Sequence, residues 1–267
     1  MIRSPAVAGR FYPSDPRVLA SEIDDYTSSE AAQMAARACL VPHAGYMYSG
    51  RVAGAVYGSL EIPPSCILIG PRHFPYGAPM SILTEGNWAA PFGEAPIDSA
   101  LAAEIARACP RLREDPVAHE TEHSLEVQIP FLQRLAADFR FVPIVLASDR
   151  YAPLEELGHG LARVLAAQQK PVLLVISSDM NHYESDEITR GKDRKAIDRL
   201  LAIDPTGLYD TVRNEKISMC GYAAAVVGLV ALRDLGVNEA KLLRYATSGD
   251  VSGDRDEVVG YAGIIFQ

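Results

Sequence analysis

The sequence predicts a single α/β domain with a central, mostly parallel sheet flanked by helices. Two observations carry this. Helix and strand signals alternate from end to end, which is the pattern of a layered α/β fold. Between the helical segments lie five short apolar runs, and runs of that length suggest strands covered on both faces. No linker, repeat or low-complexity tract divides the chain, so residues 1–267 are read as one domain. Single α/β units reach roughly this length, about 250 residues, without splitting.

Taken in order, Asp15-Pro16 opens the first helix, because Asp caps a helix N-terminus and Pro suits its first position. Val18, Leu19, Ile23 and Tyr26 follow at helical spacing. Ala38 to Val41 is the first strand, and it runs into Pro42-His43-Ala44-Gly45-Tyr46. Cys66 to Ile69 is the second, followed by Gly70-Pro71-Arg72-His73. Asp98 starts a helix that carries Leu101 and Ile105. Thr121 is read as the N-cap of another, with Leu125, Ile129, Leu132 and Leu135 at core spacing. Phe141 to Leu146 is a strand, and the segment around His159 is a surface helix. Val172 to Ile176 is a strand that leads into Ser177-Ser178-Asp179-Met180-Asn181-His182. Asp204-Pro205 repeats the Asp-Pro opening, and an apolar helix runs from Tyr222 to Leu235, stopping at Gly236. The stretch from Thr247 to Asp254 is a polar loop with neither the Gly-Lys pair of a phosphate loop nor the acid spacing of an EF-hand. The last strand is Val258 to Phe266.

The net charge of −9 and the scattered basic residues argue against nucleic acid as a general partner, since an acidic surface repels phosphate backbones. Cys39, Cys66, Cys109 and Cys220 form no CxxC pair, which fits the reducing cytosol better than a disulfide scaffold. Met1 to Pro13 lacks the apolar core of a signal peptide. The longest apolar stretch, Ala223 to Leu232, falls short of the roughly 20 residues that cross a bilayer. The expectation is a cytoplasmic protein with no membrane partner.

Three of the six histidines follow strands directly, where open α/β sheets bind their ligands. One such histidine reads as a loop hydrogen bond. Three in equivalent places, His43, His73 and His182, point to a shared pocket around one metal ion, for which neutral imidazole is a common ligand. His119 to His123 spells His-Glu-Thr-Glu-His, formally the zinc-hydrolase string. The charged Glu122 inside it and the expected helix start at Thr121 argue against that reading, and leave His123 free to face the pocket. Cys220 precedes Gly221 and the apolar helix, so it stands at a helix N-terminus, a position that favours thiolate.

The motifs in sequence order resemble those of the Memo family, the AmmeMemoRadiSam system protein B of microbes. They are the run Pro5 to Pro13, Pro42-His43-Ala44-Gly45-Tyr46, Gly70-Pro71 with His73, and Glu122-His123-Ser124-Leu125-Glu126. Ser177-Ser178-Asp179 with His182, Cys220-Gly221, and the stretch from Ser248-Gly249-Asp250 to Val259-Gly260-Tyr261 complete the set. That family is related in fold to the class III extradiol non-haem iron dioxygenases. The resemblance implies metal ligands at His43, His73 and Cys220, with His123, His182 and Asp179 as catalytic groups around them. The dioxygenases use a carboxylate where this chain has Cys220. A thiolate is softer and favours copper, zinc or iron. The resemblance also implies a functional link to radical SAM and AMMECR-type proteins.

The leading expectation is therefore a mononuclear iron or copper oxidoreductase acting on a small molecule, with zinc as a third metal. The alternatives are a non-catalytic metal-binding protein that recognises a peptide or partner and, last, a zinc hydrolase built on His119 and His123.

Overall fold

The computed structural model describes residues 1–28 and 32–267. Its centre is four parallel strands in the order Ala38–Val41, Val172–Ser177, Ser65–Pro71, Arg140–Leu146. The outer strands run the other way. Val258–Phe266 pairs antiparallel with Ala38–Val41 and also with His182–Glu184 and Ala240–Thr247. Met80–Ile82 pairs antiparallel with Arg140–Leu146 and parallel with Arg113–Glu114. The sheet is thus mixed: parallel at its centre, antiparallel on both flanks. The apolar runs gave no sign of this, because an inner antiparallel strand covered on both faces has the same composition as a parallel one.

All five expected strands are present, extended by at most two residues at either end. Asp15, Asp98 and Asp204 cap the helices Pro16–Thr27, Ser99–Ala108 and Pro205–Asn214 through their side chains. In helix Tyr222–Asp234 every residue from Ala223 to Leu232 is buried, which is why it is apolar on all sides. It seats Gly228 against Ile176 and packs across the central strands. Gly236, just past its end, takes the left-handed conformation (φ 75°) expected of a helix-stopping glycine.

One helix begins later than expected. Thr121 is no N-cap but follows the short helix Val117–Glu120 as its C-cap; a 3-10 turn forms at Glu126–Gln128 and the α-helix at Ile129–Leu135. The cause is Glu122, whose carboxylate accepts the backbone N–H groups of His123 and Ser124 at 2.9 and 2.8 Å and holds that stretch as a turn. A small second sheet, Ile2–Arg3 with Asn87–Ala90 and Gly93–Pro96, brings the N-terminus to the same region. The Arg3 guanidinium there bonds the carbonyls of His119 and Glu122 and pairs with the buried Glu126 at 2.7 Å.

Candidate metal centre

The carboxyl ends of three central strands converge on one pocket. Strand Ala38–Val41 delivers His43, Ser65–Pro71 delivers His73, and Val172–Ser177 delivers Asp179. His123 arrives from the turn that Glu122 organises. Two glycines make this convergence possible. A Cβ on Gly70 would meet Leu125 at 2.9 Å and Ser124 at 3.0 Å, and one on Gly221 would meet Ser177 and Ser178 at 2.5 Å. Without side chains there, the His123 turn and the Cys220 loop can lie against the strand ends.

The hydrogen bonds around His43 decide which of its ring nitrogens is bare. Ser177 Oγ lies 2.6 Å from the Ser124 carbonyl oxygen, a contact that requires the hydroxyl hydrogen between them. Gln128 Nε2 donates to the same Oγ at 3.0 Å. Toward His43 Nδ1, 2.9 Å away, Ser177 can therefore only accept. His43 carries its hydrogen on Nδ1 and presents a bare Nε2 to the pocket. Its ring is buried, and burial, with the nearby His73 and His123, pushes its pKa well below the ordinary value.

His73 is oriented in the same way by a stronger partner. Its Nδ1 lies 2.9 Å from Glu122 Oε1, and its backbone N–H donates to the other carboxylate oxygen. Burial alone would raise the Glu122 pKa, but His73 and the N–H donors of His73 and Ser124 outweigh it and lower it to about 2. A carboxylate that stays ionised accepts only, so Nδ1 of His73 is the donor and Nε2 faces inward. Burial opposes charge on His73, yet the hydrogen bond and charge of Glu122 prevail and raise its pKa.

His123 stacks on His73 with ring centroids 4.6 Å apart and meets the edge of Phe11 at 4.9 Å. Burial lowers its pKa. One ligand nitrogen from each of His43, His73 and His123 lies within 4.8 Å of the others, close enough to hold a metal ion. Cys220 adjoins this set through His43, with Sγ 3.2 Å from Nε2. Nitrogen and sulfur ligands around a tetrahedral ion stand about 3.5 Å apart, so this contact also fits a shared metal. The donor set, neutral imidazoles with a thiol, suits zinc, copper or iron and not magnesium or calcium.

The expected thiolate character of Cys220 is corrected in one respect. The residue does precede helix Tyr222–Asp234. Burial and then the Asp179 carboxylate, however, push the thiol pKa up. The helix end is outweighed, and only a bound cation would make the thiolate dominant.

Asp179 is buried, accepts the His43 backbone N–H at 2.7 Å, and has its own pKa raised by burial. His182 stands half-buried beside it, with Nδ1 2.9 Å from the Ser218 carbonyl, an acceptor. Its hydrogen is therefore on Nδ1, leaving Nε2 free. Asn181 anchors this arrangement by accepting from both Ser218 N and Ser218 Oγ at 3.0 and 3.1 Å. His119 lies elsewhere. It sits in the short helix Val117–Glu120, fully buried, with Nε2 3.1 Å from Ser81 Oγ. The helix ends before His123, so the two histidines of the His-Glu-Thr-Glu-His string share no helical face. Of the groups that shape the pocket, sequence reading named Glu122 and Ser177 in motifs but gave neither a part in the metal centre, and it passed over Gln128 entirely. The signal for Glu122 was its place between the two histidines of the His-Glu-Thr-Glu-His string; Gln128 had none.

Fold and site together define an α/β protein with an imidazole-lined pocket, able to hold a metal ion, beyond the carboxyl ends of its central parallel strands. The family model for Memo-like proteins matches residues 3–265, and the chain belongs to that family. It is 38% identical to a MEMO1 family protein of Methanopyrus kandleri, covering 100% of this chain and 99% of the relative. It is 40% identical to MEMO1 family proteins of Archaeoglobus fulgidus, over 100% of both chains, and of Aquifex aeolicus, over 99% of both. Among solved structures, an uncharacterized Escherichia coli K12 protein superposes with a TM-score of 0.53 at 13% identity, covering 84% of this chain and 98% of that one. That likeness speaks to fold alone. Among the described residues, no helix is long and apolar enough to cross a membrane.

Proposed function

We propose that this protein is a mononuclear metal-dependent oxidoreductase acting on a small molecule, with iron or copper as its metal. The observation that carries the reading is the pair of inward-facing Nε2 atoms on His43 and His73, each fixed by a hydrogen bond on the opposite ring nitrogen. This is how metal-binding imidazoles are prepared. His43, His73 and Cys220 would hold the ion, with His123 as the competing third ligand. A redox-active ion there would supply one-electron chemistry. The chain's own residues would do the rest. Phe11 and the N-terminal strap behind it exclude water on the His123 side. His182, with Nε2 bare, accepts a proton from a bound substrate or returns it, work suited to imidazole near neutral pH. Asp179 fixes the His43 backbone by accepting its N–H. A functional link to radical SAM and AMMECR-type proteins, and a cytoplasmic location, belong to the same proposal and rest on family membership.

The test is metal analysis of the purified protein followed by oxygen consumption with and without candidate reductants. One equivalent of iron or copper and oxygen-dependent turnover are expected. Stoichiometric metal with no turnover under any condition would leave a metal-binding or partner-recognition protein and end the enzyme reading.

A further inference from the structure

A second concavity lies at the opposite end of the same strands. It is a cleft of about 1200 Å³ between helices Ser99–Ala108 and Tyr151–Ala167, lined by Ser65, Arg140 and Val172. The last two are the first residues of central strands, and so is Ser65. A strand of six or seven residues spans about 20 Å, so this cleft is separate from the histidine pocket at the strands' other ends.

Its charge is unlike that of the molecule. The chain carries a net −9, yet Arg107, Arg140, Arg163 and Lys170 converge here from two helices, a strand and a loop. Among the described residues none of the four has a carboxylate oxygen within 4.0 Å. Three acids share the cleft, and two of them are engaged by neutral donors. Asp98 caps its helix at Leu101 N (3.2 Å) and accepts from Ser65 Oγ; Glu104 accepts from Gln168 Nε2 at 2.7 Å. The third is Asp138. Four cations against three acids leave a local surplus of positive charge, with none of the four in an ion pair among the described residues. The lining between them is partly apolar: Leu101 and Val164, both buried, with Pro64 and Pro171.

We propose that this cleft binds a small organic phosphate with at least two phosphate groups. Guanidinium forks on separate segments match phosphate oxygens bidentately, and three of them call for several such groups on one ligand. The apolar part of the lining would take a ring or chain carried by the phosphates. The volume exceeds the roughly 300–1,000 Å³ usual for small-molecule pockets, which is room for a nucleotide di- or triphosphate.

Calorimetric titration with pyrophosphate, ATP and uncharged adenosine, without added metal, tests this. Pyrophosphate and ATP should bind, adenosine should not, and binding should weaken as salt rises from about 50 to 200 mM. The exposed pair Arg107→Ala and Arg163→Ala should weaken ATP binding at least about tenfold with an unchanged melting temperature. His73→Ala should leave it intact. No heat from either phosphate at about 1 mM ligand and low salt, or undiminished affinity in the arginine variant, would overturn the proposal. So would adenosine binding as well as ATP, or loss of binding in His73→Ala, which would move the anion to the histidine pocket.

Discussion

Glu122 accepts the Nδ1 hydrogen of His73 at 2.9 Å while also holding the backbone N–H groups of His73, His123 and Ser124. One buried carboxylate therefore orients one imidazole and shapes the turn that presents a second. Neutralising it should disturb the metal more than the fold. Glu122→Gln keeps the size and one accepting oxygen, so the protein should fold. Metal affinity should fall about 10–100-fold, the usual cost of losing a group that orients a ligand. Competition with a chelator of known affinity reads this directly, and an unchanged affinity would make Glu122 a turn residue only.

His43→Ala and His73→Ala each remove a first ligand and should abolish stoichiometric metal. His119→Ala should retain it, because His119 bonds Ser81 in the core, away from the pocket. Its cost should appear in stability, about 1–3 kcal/mol for a buried polar side chain and the partner it leaves unpaired. Metal content and urea midpoints of the three variants separate the two effects. Equal metal loss in all three would return the zinc-hydrolase string to consideration.

Much of this was legible in the chain. Strand ends followed by histidines mark the pocket because an apolar run bounded by Gly or Pro has few alternatives, and the Asp caps at 15, 98 and 204 are short-range signals. Three things were not legible. The antiparallel flanks depend on long-range pairing, which leaves no periodicity. The late start at Glu126 depends on Glu122 turning inward to take backbone N–H groups, whereas a charged side chain reads as solvated. The roles of Ser177 and Gln128 exist only once residues 43, 124, 128 and 177 are brought together.

Asp193 supplies a pH signature away from the histidines. It is buried between the Asn181 N–H (2.8 Å) and the Tyr245 hydroxyl (2.7 Å), and burial outweighs both donors and Arg190 to raise its pKa to about 7. From about pH 4 to 7 the folded protein keeps a proton that the unfolded chain has lost, so this group makes stability fall as pH rises. Asp193→Asn can bond both neighbours without titrating. Between pH 5 and 8 the wild type should lose roughly 2–3 kcal/mol relative to the variant. Parallel pH–stability curves from denaturant unfolding would show that Asp193 titrates normally.

His182 should separate proton transfer from metal binding. Its Nδ1 is engaged by the Ser218 carbonyl, so Nε2 is the nitrogen left to move a proton, and truncation removes it together with the Ser218 bond. His182→Ala should keep bound metal and lower turnover by about 10²–10⁴-fold, the usual range for a general acid or base. Lost metal, or unchanged turnover, would reduce the residue to a support for the Asp179 loop.

The third ligand is the sharpest division, because Cys220 adjoins His43 while His123 lies with both His43 and His73. If the thiol is a ligand, metal must displace its proton, and burial beside Asp179 makes that proton hard to lose. Metal affinity should then rise with pH more steeply in the wild type than in Cys220→Ser. The metal-free protein should also alkylate slowly at Cys220 at neutral pH, because the thiolate is the reactive form and is scarce there. Cobalt substitution gives an independent view. A sulfur ligand adds a charge-transfer absorption that Cys220→Ser would abolish and His123→Ala would leave in place. With Cys220 as ligand, Cys220→Ser should lose most bound metal and His123→Ala should lose little. The reverse pattern, with no sulfur absorption in the wild type, would assign the site to His43, His73 and His123, the set whose ligand atoms already lie within 4.8 Å of one another. Cys220 would then be a half-buried thiol held in hydrogen-bond contact with a metal-bound imidazole.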